Sequence, residues 1–326
     1  MGDDGCGGLR AHSGPPQGGR LRDRVIRPAE TRWGGSSMTE ALGRVLPGLR
    51  HRRRIRNALL HLVLLTASVA FTFPFLWMLF TALKTPAELL QGTAAFFPSV
   101  PQWSNFVTAV TVIPFFMYLM NSLIVVVLVM LGTLFSATTA AYAFARLEWR
   151  GRDVWFVVML ATLMIPIQVI LIPTYILYAH IGWLGTRLPL IVPAFFGGGA
   201  AFYIFMLRQF FKGIPKELSE SAIIDGANHF QIFGRIMLPL SKPALITVML
   251  FTFMGAWNDF FGPLIFLSNP DHWTLALGLR AFQLQFGGRF DLMMAAAILM
   301  VIPTLLIFFF AQKSFIEGIT FTGIKG

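Results

Sequence analysis

Six long apolar runs, separated by polar connections, dominate the chain: Asn57 to Leu83, Leu119 to Ala145, Val154 to Ala179, Leu188 to Leu207, Ala244 to Leu267 and Leu292 to Ala311. An apolar stretch of about 20 residues is long enough to cross a bilayer as a helix. The pattern therefore predicts an all-α membrane protein with six transmembrane helices. No Lys, Arg or Glu falls inside these runs, and Asp259, near the far end of the fifth, is their single acid. Pro74, Pro166, Pro173, Pro193 and Pro303 lie within the runs. Each removes a backbone hydrogen bond and favours a kink. Gly197, Gly198 and Gly199 in the fourth run permit close helix approach. Moving parts and ordinary helix packing both remain open as readings of these breaks.

The polar connections set the orientation. Basic residues crowd the segment before the first span, the second-to-third and fourth-to-fifth connections, and the C-terminal end. The opposite side holds only Lys84, Arg187, Arg280 and Arg289. Lys and Arg accumulate on the cytoplasmic side, so both termini are expected there. The net charge of +11 is thus a topology signal, and no nucleic-acid partner is expected.

The fourth-to-fifth connection, Arg208 to Pro243, carries the most local information. Pro215 suits the first turn of a helix, Lys216 to Asp225 are helix-compatible, and Gly226 suits a left-handed C-terminal cap. Asn228 with Gln231 three residues on forms a variant capping box. Phe230, Phe233 and Met237 recur at helical spacing, until Pro239 is expected to stop the helix. The prediction is a short helix–turn–helix with exposed acids and one apolar face. A solvated loop would need neither the paired caps nor the apolar stripe, so a docking knob for a soluble partner is favoured, with aromatic anchors and Glu220 opposite a basic group.

Composition excludes most other classes. The chain of 326 residues is 56% hydrophobic and only 13% charged, against about 25% charged residues in soluble domains. Its one cysteine, Cys6, rules out an internal disulfide. There is no Gly-Lys dipeptide for a phosphate-binding loop, no H-E-x-x-H, and no Ser/His/Asp set within the spans, so no enzyme is expected. An ion-coupled carrier normally keeps titratable relays in its spans, and Asp259 alone weakens that reading. Residues 1–37 are rich in Gly, Pro and Arg without hydrophobic periodicity. They are expected either to be a disordered tail or to lie before the true start at Met38, since Trp33, Gly34 and Gly35 require G-rich codons where a ribosome-binding site would sit. Residues 38–56 form a basic cytoplasmic segment, 57–312 the six-helix domain, and 313–326 a cytoplasmic tail.

Glu220-Ser221-Ala222, Gly226, Ile236, Leu238 and Pro239 match the pattern EAA-x3-G-x9-I-x-L-P, with Ser221 in place of the middle alanine and Asp225 before the glycine. The chain thereby resembles the permeases of binding-protein-dependent ABC importers. Ala140 to Arg146 (AAYAFAR), Trp257-Asn258-Asp259-Phe260, Pro98 to Phe106 and the tail Gly318-Ile319-Thr320 to Ile324-Lys325-Gly326 are similar to the carbohydrate branch, in particular subunits of the MalG type. The resemblance covers residues from about 57 to 326.

The resemblance implies a transmembrane subunit working with a second, MalF-type permease, an ABC ATPase dimer and an extracytoplasmic sugar-binding protein, in a bacterial inner membrane. This chain would hold no cofactor; ATP and Mg would sit in the ATPase partners. Glu220, Ser221, Ala222, Asp225, Gly226, Ile236, Leu238 and Pro239 would couple to the ATPase, and Thr320, Lys325 and Gly326 would reach between its subunits. Asn121, Gln168, Tyr175, Asn258 and Asp259 are the polar and aromatic groups for a solute path, although helix-to-helix hydrogen bonds account for buried Asn and Gln equally well. Asp259 could instead pair with Arg280 or Arg289. The segment Ser268 to Asp291, with Trp273, Phe282 and Phe286, is expected to meet the binding protein or the lipid interface. The solute is read as a di- or oligosaccharide; glycerol phosphodiesters, or a self-sufficient secondary transporter, are the alternatives.

Overall fold

The computed structural model describes residues 36–90, 96–284 and 287–320. Residues 1–35, with most of the proposed tail, and Lys325 and Gly326 lie outside the described residues. The described chain is helical, without strands. In order, the helices are α1 (Ser36–Ala82), α2 (Pro86–Leu90), α3 (Ser104–Val112), α4 (Phe115–Arg146), α5 (Arg152–Ala161), α6 (Ile167–His180), α7 (Leu188–Phe195) and α8 (Ala201–Gly213). They continue with α9 (Glu217–Ile224), α10 (His229–Ile232), α11 (Leu238–Leu240), α12 (Lys242–Trp257), α13 (Phe261–Phe266), α14 (Leu275–Gly278), α15 (Ala281–Leu284) and α16 (Phe290–Thr320).

The apolar runs meet two different fates. The first, second and sixth lie in continuous helices, and Ile55–Ala82, Phe115–Arg146 and Phe290–Phe310 are each long and apolar enough to cross a bilayer. Helix α1 starts at Ser36 and runs through residues 38–56. The other three runs are broken. Arg152–Met164 and Ile167–His180 meet at 96°. Pro166 disfavours helical geometry at its predecessor, and Ile165 is extended at ψ 115°. The fourth run splits into α7 and α8 at Phe196–Ala200, where Gly197 and Gly199 take φ of +81° and +75°, a region that suits glycine. The fifth parts into α12 and α13 around Asn258–Phe260. By length and composition the described helices therefore give three spans, or up to five when two bent pairs each count as one.

Helix α4 is the central post, packed into both buried clusters. At one end Phe115, Tyr118 and Val126 join Phe253, Trp257, Leu275, Phe282 and Leu292. At the other, Ala137, Ala141 and Tyr142 join Ile204, Leu207, Phe211, Ile232 and Met237. Small residues let the neighbours come close. The Ser136 hydroxyl donates to the Ala194 carbonyl at 2.7 Å, and a Cβ at Gly132 would stand 2.6 Å from the Phe195 ring. Phe282 corrects the expectation of a surface aromatic, since it is fully buried in the first cluster. Trp273 is half-buried, its indole N–H donating to the Leu267 carbonyl at 3.1 Å. Phe286 lies outside the described residues.

Arg146 and Arg208 tie α4 and α8 together reciprocally. The Arg146 guanidinium, at the end of α4, donates to the carbonyls of Phe211 (2.7 Å) and Ile214 at the end of α8. Arg208, on α8, donates to the Phe144 carbonyl of α4 at 3.1 Å and to Asp153 at 3.3 Å, and lies 3.8 Å from the centre of the Phe156 ring. Each cation thus bonds carbonyls at the C-terminal end of the other helix.

A second local device starts α2. The Thr85 N–H donates to the Glu88 carboxylate at 2.8 Å, the Glu88 N–H donates to the Thr85 hydroxyl at 3.2 Å, and the Ser99 N–H donates to the other carboxylate oxygen at 2.9 Å. This is a capping box extended to a distant loop. Hydrogen bonds from Ser99 and then Thr85 hold the Glu88 carboxyl at about 2, below its ordinary 4.5. Because the folded group titrates lower than the free one, its stabilisation is complete above 4.5 and is lost as pH falls through about 2. Carboxyl-carbon NMR of the solubilised protein should give a Glu88 midpoint near 2. A midpoint at the free value would remove the box.

Candidate functional site

The fourth-to-fifth connection folds into the expected pair of short helices, and its bonds explain why. Helix α9 ends at Ile224 with Asp225 as its C-cap; Gly226 follows at φ +84°. The Gly226 N–H donates to the Ile223 carbonyl at 3.0 Å and the Ala227 N–H to the Ala222 carbonyl at 2.8 Å. That pairing is a Schellman ending, which requires the left-handed residue where Gly226 stands. Asn228 then caps α10. Its side-chain oxygen accepts from the Gln231 N–H at 2.9 Å, while the Gln231 oxygen accepts from the Asn228 N–H at 2.9 Å.

Beyond α10 the structure departs from the expected course. Phe233–Met237 is a single π-helical stretch, and helix resumes through Pro239 rather than stopping there. Proline cannot donate to the carbonyl one turn back and its ring crowds that turn, and the widened π turn absorbs both defects. The break comes at Ser241, where His229–Leu240 and Lys242–Trp257 meet at 78°. The expected single apolar face is also divided. Met237 and Ile232 are fully buried and the Phe233 ring lies 5.1 Å from Tyr142. Phe230 and Ile224, by contrast, are 86% and 85% exposed. Two apolar side chains thus stand out from an element whose inner face is anchored on α4, α8 and α12.

Glu220 and Ser221 are exposed on α9, Ala222 is half-buried, and Asp225 is exposed at the turn. Ile236 and Leu238 are half-buried and Pro239 is exposed, so the anchoring falls chiefly to Ile232, Phe233 and Met237. Glu220 makes no ion pair among the described residues and borders an open cleft of about 590 Å3 with Tyr142, Arg146, Trp149, Lys216 and His229. Thr320 ends α16.

The polar residues of the spans do not converge on one site. Asn121 is buried and engaged on every side: its amide donates to the carbonyls of Asp271 (2.7 Å) and Trp273 (2.9 Å), and its oxygen accepts from Arg187 (3.0 Å). Gln168 is exposed beside the Pro166 break. Tyr175 is half-exposed, 6.5 Å from the Phe266 ring. Asn258 donates to the Met254 carbonyl of its own helix at 2.8 Å. Asp259 accepts from the Gly262 N–H at 3.0 Å and borders a cavity of about 220 Å3. Neither arginine offered as its partner reaches it: Arg289 is held by the buried Asp291 at 2.6 Å, and Arg280 is exposed without an ion pair among the described residues.

Comparison with known proteins decides the family. The description of the binding-protein-dependent transport system inner membrane component matches residues 132–320, from α4 to the end of α16. The chain belongs to that family. The putative ABC transporter permease protein ORF2 of Caldicellulosiruptor is 38% identical over 253 residues, 78% of this chain and 91% of that protein. The arabinooligosaccharides transport system permease AraQ of Halalkalibacterium halodurans is 33% identical over 272 residues, 81% of this chain and 96% of that protein. The fold is that of a crystallised bacterial ABC transporter involved in import of the acidic polysaccharide alginate, with a TM-score of 0.71, 23% identity, and coverage of 80% of this chain and 97% of that one. The permease is a multi-pass membrane transport component and not an enzyme.

In the sequence Arg146 closes the AAYAFAR stretch and Arg208 opens the fourth-to-fifth connection, and neither position shows a contact with the other helix. Their role at the helix ends depends on a crossing of α4 with α8 that no local pattern announces. The one available signal was their position, each within the last turns of an apolar helix, where a cation can meet free carbonyls.

Proposed function

We propose that this permease is one membrane-spanning half of an ATP-driven importer for a carbohydrate of the di- or oligosaccharide class. Its six spans would keep both termini in the cytoplasm of a bacterial cell, the broken third, fourth and fifth runs each counting as one span. A second permease subunit of the MalF type completes the pathway. An extracytoplasmic sugar-binding protein delivers the solute, and an ABC ATPase dimer, holding ATP and Mg, drives the cycle from below. The observation that carries this reading is the α9–α10 element: Phe230 and Ile224 stand almost fully exposed beside the acidic Glu220, on a base buried among the spans. Exposed apolar anchors ringed by charge fit a cleft on a soluble partner. Glu220 faces a basic group of the ATPase, Asp225 and Gly226 hold the turn, and closure of the ATPase dimer is carried through Ser241 into α12. Thr320, Lys325 and Gly326 are assigned to contact with the ATPase subunits. Gln168, Tyr175, Asn258 and Asp259 are offered to the solute path, whereas Asn121 is committed to protein partners.

The carbohydrate class is supported by the names of the related systems, which handle arabinooligosaccharides and alginate. The test is uptake into vesicles of defined content. Sugar should accumulate only when the ATPase subunits and ATP are present inside. Accumulation by the permease alone would overturn the reading in favour of a self-sufficient carrier.

A further inference from the structure

The cavity of about 220 Å3 beside Asp259 is lined on its polar side by Thr133, Tyr203, Thr252, Thr274 and Asp259, and contains no Lys, Arg or His in its wall. Two of these hydroxyls are anomalous. Thr252 and Thr274 are 5% and 4% exposed, and neither hydroxyl has a hydrogen-bond partner. A threonine inside a helix usually gives its hydroxyl to the carbonyl four residues back. Thr138, Thr139, Thr174 and Thr247 all do so here, at 2.6 to 3.0 Å. Thr252, inside α12, does not. Thr274 occupies the cap position of α14, yet gives that helix no side-chain bond. Two buried hydroxyls thus forgo the local partners their positions provide. A buried hydroxyl left unpaired is costly, which points to a ligand that satisfies both.

The rest of the wall narrows the chemistry. Asp259 uses one carboxylate oxygen for the Gly262 N–H, and a Cβ at Gly262 would come within 2.5 Å of the other. The glycine therefore lets the carboxylate pack over the turn, where the Phe261 backbone bonds it as well. Gly199, whose amide donates to no backbone carbonyl among the described residues, contributes to the same wall. Val125, Val129, Leu190 and Pro263 supply the apolar side. An acceptor-only carboxylate, hydroxyls that both give and accept, and an apolar face together suit one ring of a sugar, whose edge is hydroxyl and whose flat faces are C–H. An anionic sugar would bring a second negative charge beside Asp259 with no cation to offset it.

We infer that this cavity binds one ring of an uncharged saccharide through Thr252, Thr274 and Asp259, and that the solute of this permease is neutral rather than a uronic-acid sugar. The inference rests on the importer reading above. It separates this chain from its alginate-linked structural neighbour.

The test uses the assembled transporter in vesicles, with a panel of uncharged disaccharides and their uronic-acid counterparts as probes. Wild type should take up at least one uncharged disaccharide and discriminate against uronides. The double variant Thr252→Val/Thr274→Val keeps the branched shape and loses both hydroxyls. It should raise the apparent KM for the uncharged sugar tenfold or more, at an unchanged level of the assembled transporter in the vesicles. The double Thr→Ser variant, which retains the hydroxyls, should return KM to within about twofold of wild type. Asp259→Asn should relax the discrimination against uronides. An unchanged KM in the valine variant, or a wild type that takes up only uronides, overturns this inference alone. A valine variant whose sodium dependence shifts while its sugar KM stays fixed does the same, in favour of a cation site. A wild type with no ATP-driven uptake of any probe overturns the importer reading along with it.

Discussion

Replacing Glu220 by lysine is expected to abolish uptake while ATP hydrolysis by the assembled complex continues. Glu220 is exposed, and it makes no ion pair among the described residues. Reversing its charge therefore breaks nothing inside the permease. The largest internal cost is the loss of a favourable acid in the first turn of α9, about 0.3–1 kcal/mol. At the proposed ATPase contact the effect is larger. Truncating one partner of a desolvated charge pair costs about 2–5 kcal/mol, and reversal adds repulsion, so coupled uptake should fall by about two orders of magnitude or more. Uptake and phosphate release measured on the same vesicles separate the two outcomes, and wild-type uptake would remove Glu220 from the coupling contact. Glu220→Gln, which keeps the shape and drops the charge, should lie between.

Trp257→Ala should be the most destabilising single change in the span region. Trp257 is 2% exposed, its indole N–H donates to the Met300 carbonyl on α16 at 3.1 Å, and its ring stacks 5.6 Å from Phe253. Removing a buried tryptophan costs about 3–5 kcal/mol, and here it also releases the end of α12 from α16. Trp257→Phe retains most of the apolar volume and loses chiefly the hydrogen bond, at about 1 kcal/mol. Denaturant titration of the solubilised protein should rank wild type, phenylalanine and alanine variants in that order. An alanine variant within about 1 kcal/mol of wild type would mean that the W-N-D-F stretch does not anchor α12.

The parts of the fold that were legible in the sequence are those that local chemistry decides. Gly226 and the Asn228–Gln231 box placed the two short helices because their bonds run between residues three to five apart. The apolar runs were equally plain. Their breaks were not, because the five prolines look alike in sequence. Helix α1 runs through Pro74, and Pro173, Pro193 and Pro303 also ride inside helices, while Pro166 alone marks a 96° turn. Whether a proline bends a helix or breaks it depends on what satisfies the freed carbonyls, and that is set by neighbours distant in sequence. Asn121 and Phe282 carry the same lesson. One read as a solute contact and the other as a surface aromatic, and both are consumed by long-range packing that pattern alone does not record. Thr252 and Thr274 gave no signal at all, since an unused hydroxyl is visible only once its surroundings are known.

The gap between α7 and α8 constrains what can surround the molecule. The amides of Gly197 and Gly199 donate to no backbone carbonyl among the described residues, and Gly198 and Gly199 are exposed. Hydrocarbon tails cannot solvate bare peptide groups. The ring of lipid around this subunit is therefore interrupted along that stretch, by water or by a neighbouring protein.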